Sequence, residues 1–271
     1  VEVKVRASLL TFVAALVMAP AAAAHDFWLE PEEFKTEMGE PVSVHFSVGD
    51  AGAQEPWNLK LEKVVGLKSC IAAQCTPQTD IAPNTPERRG RAVVRLEAAG
   101  THVLAFESRN SFSELDGQKF TEYAEKEGLT AVLQDRKERK ARASAGRELY
   151  SRRAKALIHV KGARPGDVSA PVGHTLEIIP LKNPYALRQG EALRVRVLFN
   201  GAPLVGATID FDDLSDQLDP QQSGVTDGEG DASFKIDGAG PFKLMTIWGV
   251  PLADRRRADY ETIFASLTFD R

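Results

Sequence analysis

A short segment constrains the fold of this chain more than any other. Val42, Val44, Phe46 and Val48 alternate with Ser43, His45 and Ser47. A period of two suits a strand with one buried face and one wet face. Further strand candidates are 60–67, 92–97 and 102–108, punctuated by Gly and Pro clusters as in an antiparallel sandwich. From Asp116 to about Ala156 the spacing changes. Phe120, Tyr123 and Ala124 sit at helical intervals, Gly128 breaks the run, and Thr130 is placed to cap a second helix. After a Gly- and Pro-bearing stretch at 163–173, a second strand-rich unit begins. Its turn signals are Asn200-Gly201, Asp227-Gly228 and Gly238-Ala239-Gly240.

The expected fold is therefore mainly β, with two β-sandwich, Ig-like domains. The first spans residues 25–162 and carries a helical insertion at about 116–156. Residues 163–173 form a linker, and 174–271 the second sandwich. The run Arg136-Lys137-Glu138-Arg139-Lys140-Ala141-Arg142 reads most simply as a solvated helix face, with docking on anionic lipid or an acidic partner as the alternative.

Residues 1–24 read as a cleavable export signal. Lys4 and Arg6 precede an apolar run from Leu9 to Ala19, which is too short to span a bilayer of about 30 Å. Ala22-Ala23-Ala24 supplies small residues for cleavage, so a periplasmic location is expected. The formal charge of −4 becomes −5 once Glu2, Lys4 and Arg6 are removed. That mild acidity gives no nucleic-acid signal, and no later stretch is apolar enough to cross a membrane. Cys70 and Cys75, the 2 cysteines, favour a small-loop disulfide in an oxidising compartment.

Cleavage after Ala24 would leave His25 as the first residue. A terminal His offers its α-amine and its ring to one ion, whereas an internal His offers the ring alone. With an amine pKa near ~8 and an imidazole pKa near ~6.5, protons compete only mildly at neutral pH. Ni(II), Co(II) and Cu(II) accept such nitrogen donors, and Asp26 adds a carboxylate. His45 and His102 are the further ligand candidates in the first domain. His159 and His174 read as surface histidines. The acidic run from Asp210 to Asp216 lacks the pattern of an EF-hand and reads as a solvated loop. No Gly-x-Ser-x-Gly elbow, phosphate-cradling Gly-Lys-Ser/Thr loop or His-Glu-x-x-His is present, so a binding protein is favoured over an enzyme.

Several blocks carry a family resemblance. They are His25-Asp26-Phe27-Trp28-Leu29, Glu148-Leu149-Tyr150-Ser151-Arg152 with Lys155-Ala156-Leu157, Leu176–Leu181 with Asn183-Pro184-Tyr185, Pro203–Ala207 with Thr226-Asp227, and Ala265–Phe269. In this order they resemble the DUF4198 family, exported proteins grouped with periplasmic components of nickel and cobalt uptake. The resemblance implies a divalent metal, nickel or cobalt, as cargo and a membrane metal-uptake transporter as partner. The second unit is also similar to Ig-like modules of the carboxypeptidase regulatory type. Trp248 stands where the resemblance leads one to expect a second histidine. Two other readings stay open: a non-catalytic envelope protein that binds a protein or glycan partner, and a copper oxygenase built on an N-terminal His brace.

Overall fold

The computed structural model describes residues 26–49, 54–72, 74–215 and 221–271, so the expected export signal and His25 lie outside the described residues. The chain is mainly β and folds as sandwich layers. The first half supplies β1 (Asp26–Pro31), β2 (Pro41–Gly49), β3 (Val64–Ile71), β4 (Gln74–Pro77), β5 (Arg91–Arg95), β6 (Gly100–Ser108) and β7 (Ser111–Leu115). Two helices follow, α1 (Gly117–Lys126) and α2 (Thr130–Glu138), and then the 15-residue strand β8 (Gly146–Val160). The second half supplies β9 (Leu176–Pro180), β10 (Leu193–Phe199), β11 (Thr208–Asp213), β12 (Gln222–Val225), β13 (Asp231–Phe234), β14 (Pro241–Pro251) and β15 (Tyr260–Asp270).

One 10-stranded sheet runs through both halves in the order β12-β11-β14-β15-β8-β6-β3-β4, with β7 and the short strand Lys35–Thr36 also on β8. The joint is the parallel pairing of β8 with β15, from Glu148 opposite Tyr260 to Ala156 opposite Thr268. The stretch expected as a linker thus connects two regions of a shared sheet. Paired residues point to the same side, which sorts side chains by face. Glu148, Tyr150, Arg152, Ala154 and Ala156 share the front with Tyr260, Thr262, Phe264, Ser266 and Thr268. Lys243, Met245 and Ile247 of β14 join that front, as do Asp210 and Asp212 of β11.

Two covers share the front. The five-stranded sheet of β1, β2, β5 and two short strands packs Phe27, Leu29, Val44 and Phe46 onto Ala154, Ala156, Ile158 and Phe106. The helical pair packs Phe120, Ala124, Leu129 and Val132 onto Met245, Ile247, Tyr260 and Phe264. The back is covered by β9, β10 and β13, whose Ile178, Val195, Val197 and Phe234 meet Leu157, Leu244, Ala265 and Leu267.

Local chemistry explains the helical pair. Asp116 caps α1 by accepting from Lys119 N at 3.0 Å. Gly128, at φ +66°, supplies the left-handed residue that ends it. Thr130 opens α2, but the N-cap residue is Leu129 and no side chain caps that end. The basic run is not uniformly solvated. Arg136 is buried and donates to the carbonyls of Gly117, Arg142 and Ser144 at 3.1, 3.1 and 2.9 Å, closing the return loop. Helix also ends earlier than its expected limit near Ala156. From Gly146 the chain is strand, because side chains at successive positions pack against covers on opposite faces. Gly146 itself admits Phe120, whose ring would lie 2.0 Å from an added Cβ. Cys70 and Cys75 face each other across β3 and β4 and are disulfide-bonded. No helix among the described residues is long and apolar enough to cross a membrane.

Candidate functional site

The two front covers meet along a seam between the start of β1 and the C-terminal end of α1. Asp26, the first described residue, lies at this seam. Its carboxylate receives the Lys243 ammonium at 2.5 Å, and the same ammonium lies 3.0 Å from Asp212. Lys243 is 6 % exposed and sits 4.6 Å from the centre of the Trp28 ring. Burial disfavours its charge, but Asp26 and Asp212 outweigh burial and raise its pKa. Asp212 is itself pushed up by burial, against the pull of Lys243.

Glu127 joins this group from the end of α1. Burial pushes its carboxyl up to about 7 despite Lys126, with Asp26 and Asp210 adding repulsion. Four carboxylates (Asp26, Glu127, Asp210 and Asp212) therefore share one field with Lys126 and Lys243. The acidic run read as a solvated loop is strand over Thr208–Asp213. Ile209 and Phe211 enter the back core while Asp210 and Asp212 face the seam. Ile209 and Phe211 alternate with Asp210 and Asp212, a strand pattern that the loop reading passes over, and nothing local in sequence marks Glu127.

The other candidates sit elsewhere. His25 precedes Asp26 in the chain and lies outside the described residues. His45 pairs in register with Glu30, four residues along β1 from Asp26, or roughly 13 Å at ~3.3 Å per residue. Its Nε2 lies 2.9 Å from Glu32 in a cleft of about 690 Å³ that Glu30, Lys35 and Asp270 also line. His102 is buried with both ring nitrogens engaged, Nδ1 with Ser69 Oγ and Nε2 with Ala98 O, each at 2.8 Å. Burial also lowers its pKa. His102, a ligand candidate from sequence, thus has no nitrogen free for a metal, because β6 is covered on both faces. His159 Nδ1 lies 3.1 Å from Thr101 Oγ1, and His174 is buried beside Lys155 and Arg153. Trp248 pairs with Ile263 and packs on the back core, away from Asp26.

Among the described residues, no three His, Cys, Asp or Glu side chains form a ready metal cage. The seam supplies carboxylate oxygens, with an ammonium already among them. Oxygen donors alone suit hard cations, so nickel or cobalt would require nitrogen donors from another residue.

Likenesses to solved structures are weak. The D0-D1 domain of intimin has a TM-score of 0.21 at 13% identity, covering 90% of this chain and 97% of that one. Dimeric latent PorU from Porphyromonas gingivalis gives 0.20 at 12% identity, covering 89% of this chain and 20% of that one. The fibronectin(III)-like modules of CbhA from Clostridium thermocellum give 0.17 at 12% identity, covering 88% and 94%. At such scores the fold rests on the strand pairing itself. No curated protein matches the sequence. The family described as a domain of unknown function, DUF4198, matches over residues 22–248, and the chain belongs to it.

Proposed function

We propose that the start of β1 binds a divalent transition metal, nickel or cobalt, in support of uptake by a membrane transporter. The protein would act in the periplasm after cleavage near Ala24. His25 would supply its amine and ring nitrogens, and the seam would supply oxygens from Asp26 and its neighbours. The observation that carries this reading is the carboxylate surplus around the residue next to His25. Four acidic groups lie in one field there, and burial keeps Glu127 at about 7. A divalent cation would relieve that repulsion more fully than the single Lys243 ammonium does.

The donor set explains the choice of metal. Two nitrogens on one residue, joined by carboxylate oxygens, suit the borderline metals, and Cu(II) would also be accepted. No reaction belongs to this proposal: a carrier needs affinity and release. The second histidine required by a copper oxygenase would have to come from outside the seam, since His45 is roughly 13 Å along the strand at ~3.3 Å per residue.

Intact-mass analysis of exported protein establishes whether His25 is the first residue. Calorimetric titration of that species with nickel should show one site. Affinity should fall at least tenfold in His25→Ala and severalfold in Glu127→Gln. Equal affinity in wild type and His25→Ala would sink the role given to His25.

A further inference from the structure

β8 carries three buried cations, Arg152 on the front of the sheet and Arg153 and Lys155 on the back, where Arg153 lies 3.0 Å from Glu107. Lys155, on the back, is neutralised: its ammonium donates to Glu177 Oε1 at 2.9 Å, and both side chains are buried. Glu177 also accepts from the backbone N–H groups of Val172, Gly173 and His174, so the pair fastens a loop. That arrangement is complete.

Arg152, on the front, is different. It is only 9 % exposed. Its guanidinium lies 5.4 Å from the Phe27 ring, 5.2 Å from Trp57 and 5.0 Å from Tyr150. Its Nε has no acceptor among the described residues, and no carboxylate contributes to its charge balance. Burial lowers its pKa, and the Tyr150 hydroxyl, through its charge and a side-chain hydrogen bond, pulls the other way. Aromatic faces favour a cation, but they offer few acceptors to a group with five N–H donors.

Arg152 does not stand alone. Glu148 Oε1 and Ser266 Oγ, on the same face of the sheet, are also buried without partners. So is the hydroxyl of Tyr123, on α1, which feels the charges of both Glu148 and Glu127. Ser151 Oγ, Arg153 Nε and His174 Nδ1 on the back lack partners too. The cations there have carboxylates, however, whereas the front orphans accompany a cation that has none. Buried polar atoms in folded proteins nearly always find a partner.

We propose that this part of the front face binds a small organic carboxylate, held in the plane of the Arg152 guanidinium and flanked by Phe27 and Trp57. A carboxylate matches the planar fork of the guanidinium, which can engage both of its oxygens. A single cation between apolar walls favours a monoanion over phosphate or another dianion. Ser266, opposite Ala154 and one pair along from Arg152, offers a hydroxyl to a polar end of the ligand. The site uses Arg152 rather than the carboxylates around Asp26, so it stands whether or not the metal proposal does.

The test follows Trp57 fluorescence while acetate or benzoate is titrated into metal-free protein, with acetamide and benzamide as neutral isosteres. At least one acid should bind saturably and at least tenfold more tightly than its amide. A Trp57→Phe variant assigns the signal. In Arg152→Met, checked for an intact melting transition, that preference should shrink to within twofold. Lack of preference for either acid in wild-type protein would overturn the proposal, even if Arg152→Met does not fold. An undiminished preference in folded Arg152→Met would also overturn it. Arg152→Lys, which keeps the charge but loses the fork, should give an intermediate preference.

Discussion

Arg152 and Lys155 are neighbours on one strand, yet they sit in opposite electrostatic situations. On the back, Lys155 has a carboxylate partner and a loop that depends on it. On the front, Arg152 has three aromatic rings and no carboxylate. The back is covered by one sheet with a continuous apolar core, whereas the front has two covers and a seam between them. Buried charge is costly unless paired, so the two faces indicate different uses. The paired cation stabilises the fold, and the unpaired one marks a place where stability has been given up for binding.

The largest expected effect tests this contrast directly. Lys155→Met should destabilise the protein by about 4 kcal/mol, because Glu177 is left buried without its cation. Arg152→Met should cost only about 1 kcal/mol, since the one group that loses a hydrogen bond is the Tyr150 hydroxyl and no buried carboxylate is left unpaired. Urea denaturation of both variants gives the comparison. Equal losses would mean that Arg152 is as structural as Lys155.

The next effect sharpens the picture of the front. Burial pushes Glu148 from an ordinary 4.5 up to about 7. As pH rises between these values, the unfolded chain releases this proton before the folded one does. The stability present at low pH is therefore lost as pH passes the folded value. Glu148→Gln removes that loss. It should gain about 2 kcal/mol at about pH 8 and almost nothing at about pH 4. Melting curves across this range check the sign, and a gain at low pH alone would contradict it.

Two smaller effects concern the seam and its alternative. Removing the ammonium in Lys243→Met should tighten nickel binding about tenfold, because Asp26 and Asp212 lose their competing cation. The same change should destabilise the metal-free protein. His45→Ala should leave nickel affinity unchanged and alter stability by less than about 0.5 kcal/mol, as expected for an exposed pair with Glu32.

Part of this organisation can be read from the sequence. The alternation of Val42, Val44, Phe46 and Val48 matches β2, where Val42, Val44 and Phe46 are buried. Asp116 and Gly128 bracket α1 for reasons that local chemistry supplies. β8 is harder to read. Arg152, Arg153 and Lys155 look like surface residues, and only the covers on both faces make them interior. The parallel pairing of Arg152 with Phe264 joins segments over a hundred residues apart, with no local signal. The same holds for the candidate site. Asp26 stood out beside His25, but Asp210, Asp212 and Glu127 approach it only because β11, β14 and α1 converge on the start of β1. His102 was misleading because its polar neighbours, Ser69 and Ala98 O, come from the fold.

The most direct measurement is an anomalous-scattering map at the nickel edge, from crystals of protein whose first residue is His25, grown with nickel. The account predicts one strong peak at the start of β1, about 2.1 Å from the amine and ring nitrogens of His25 and bonded to a carboxylate of the Asp26 group. A peak in the His45–Glu32 cleft, or none at His25, would contradict it.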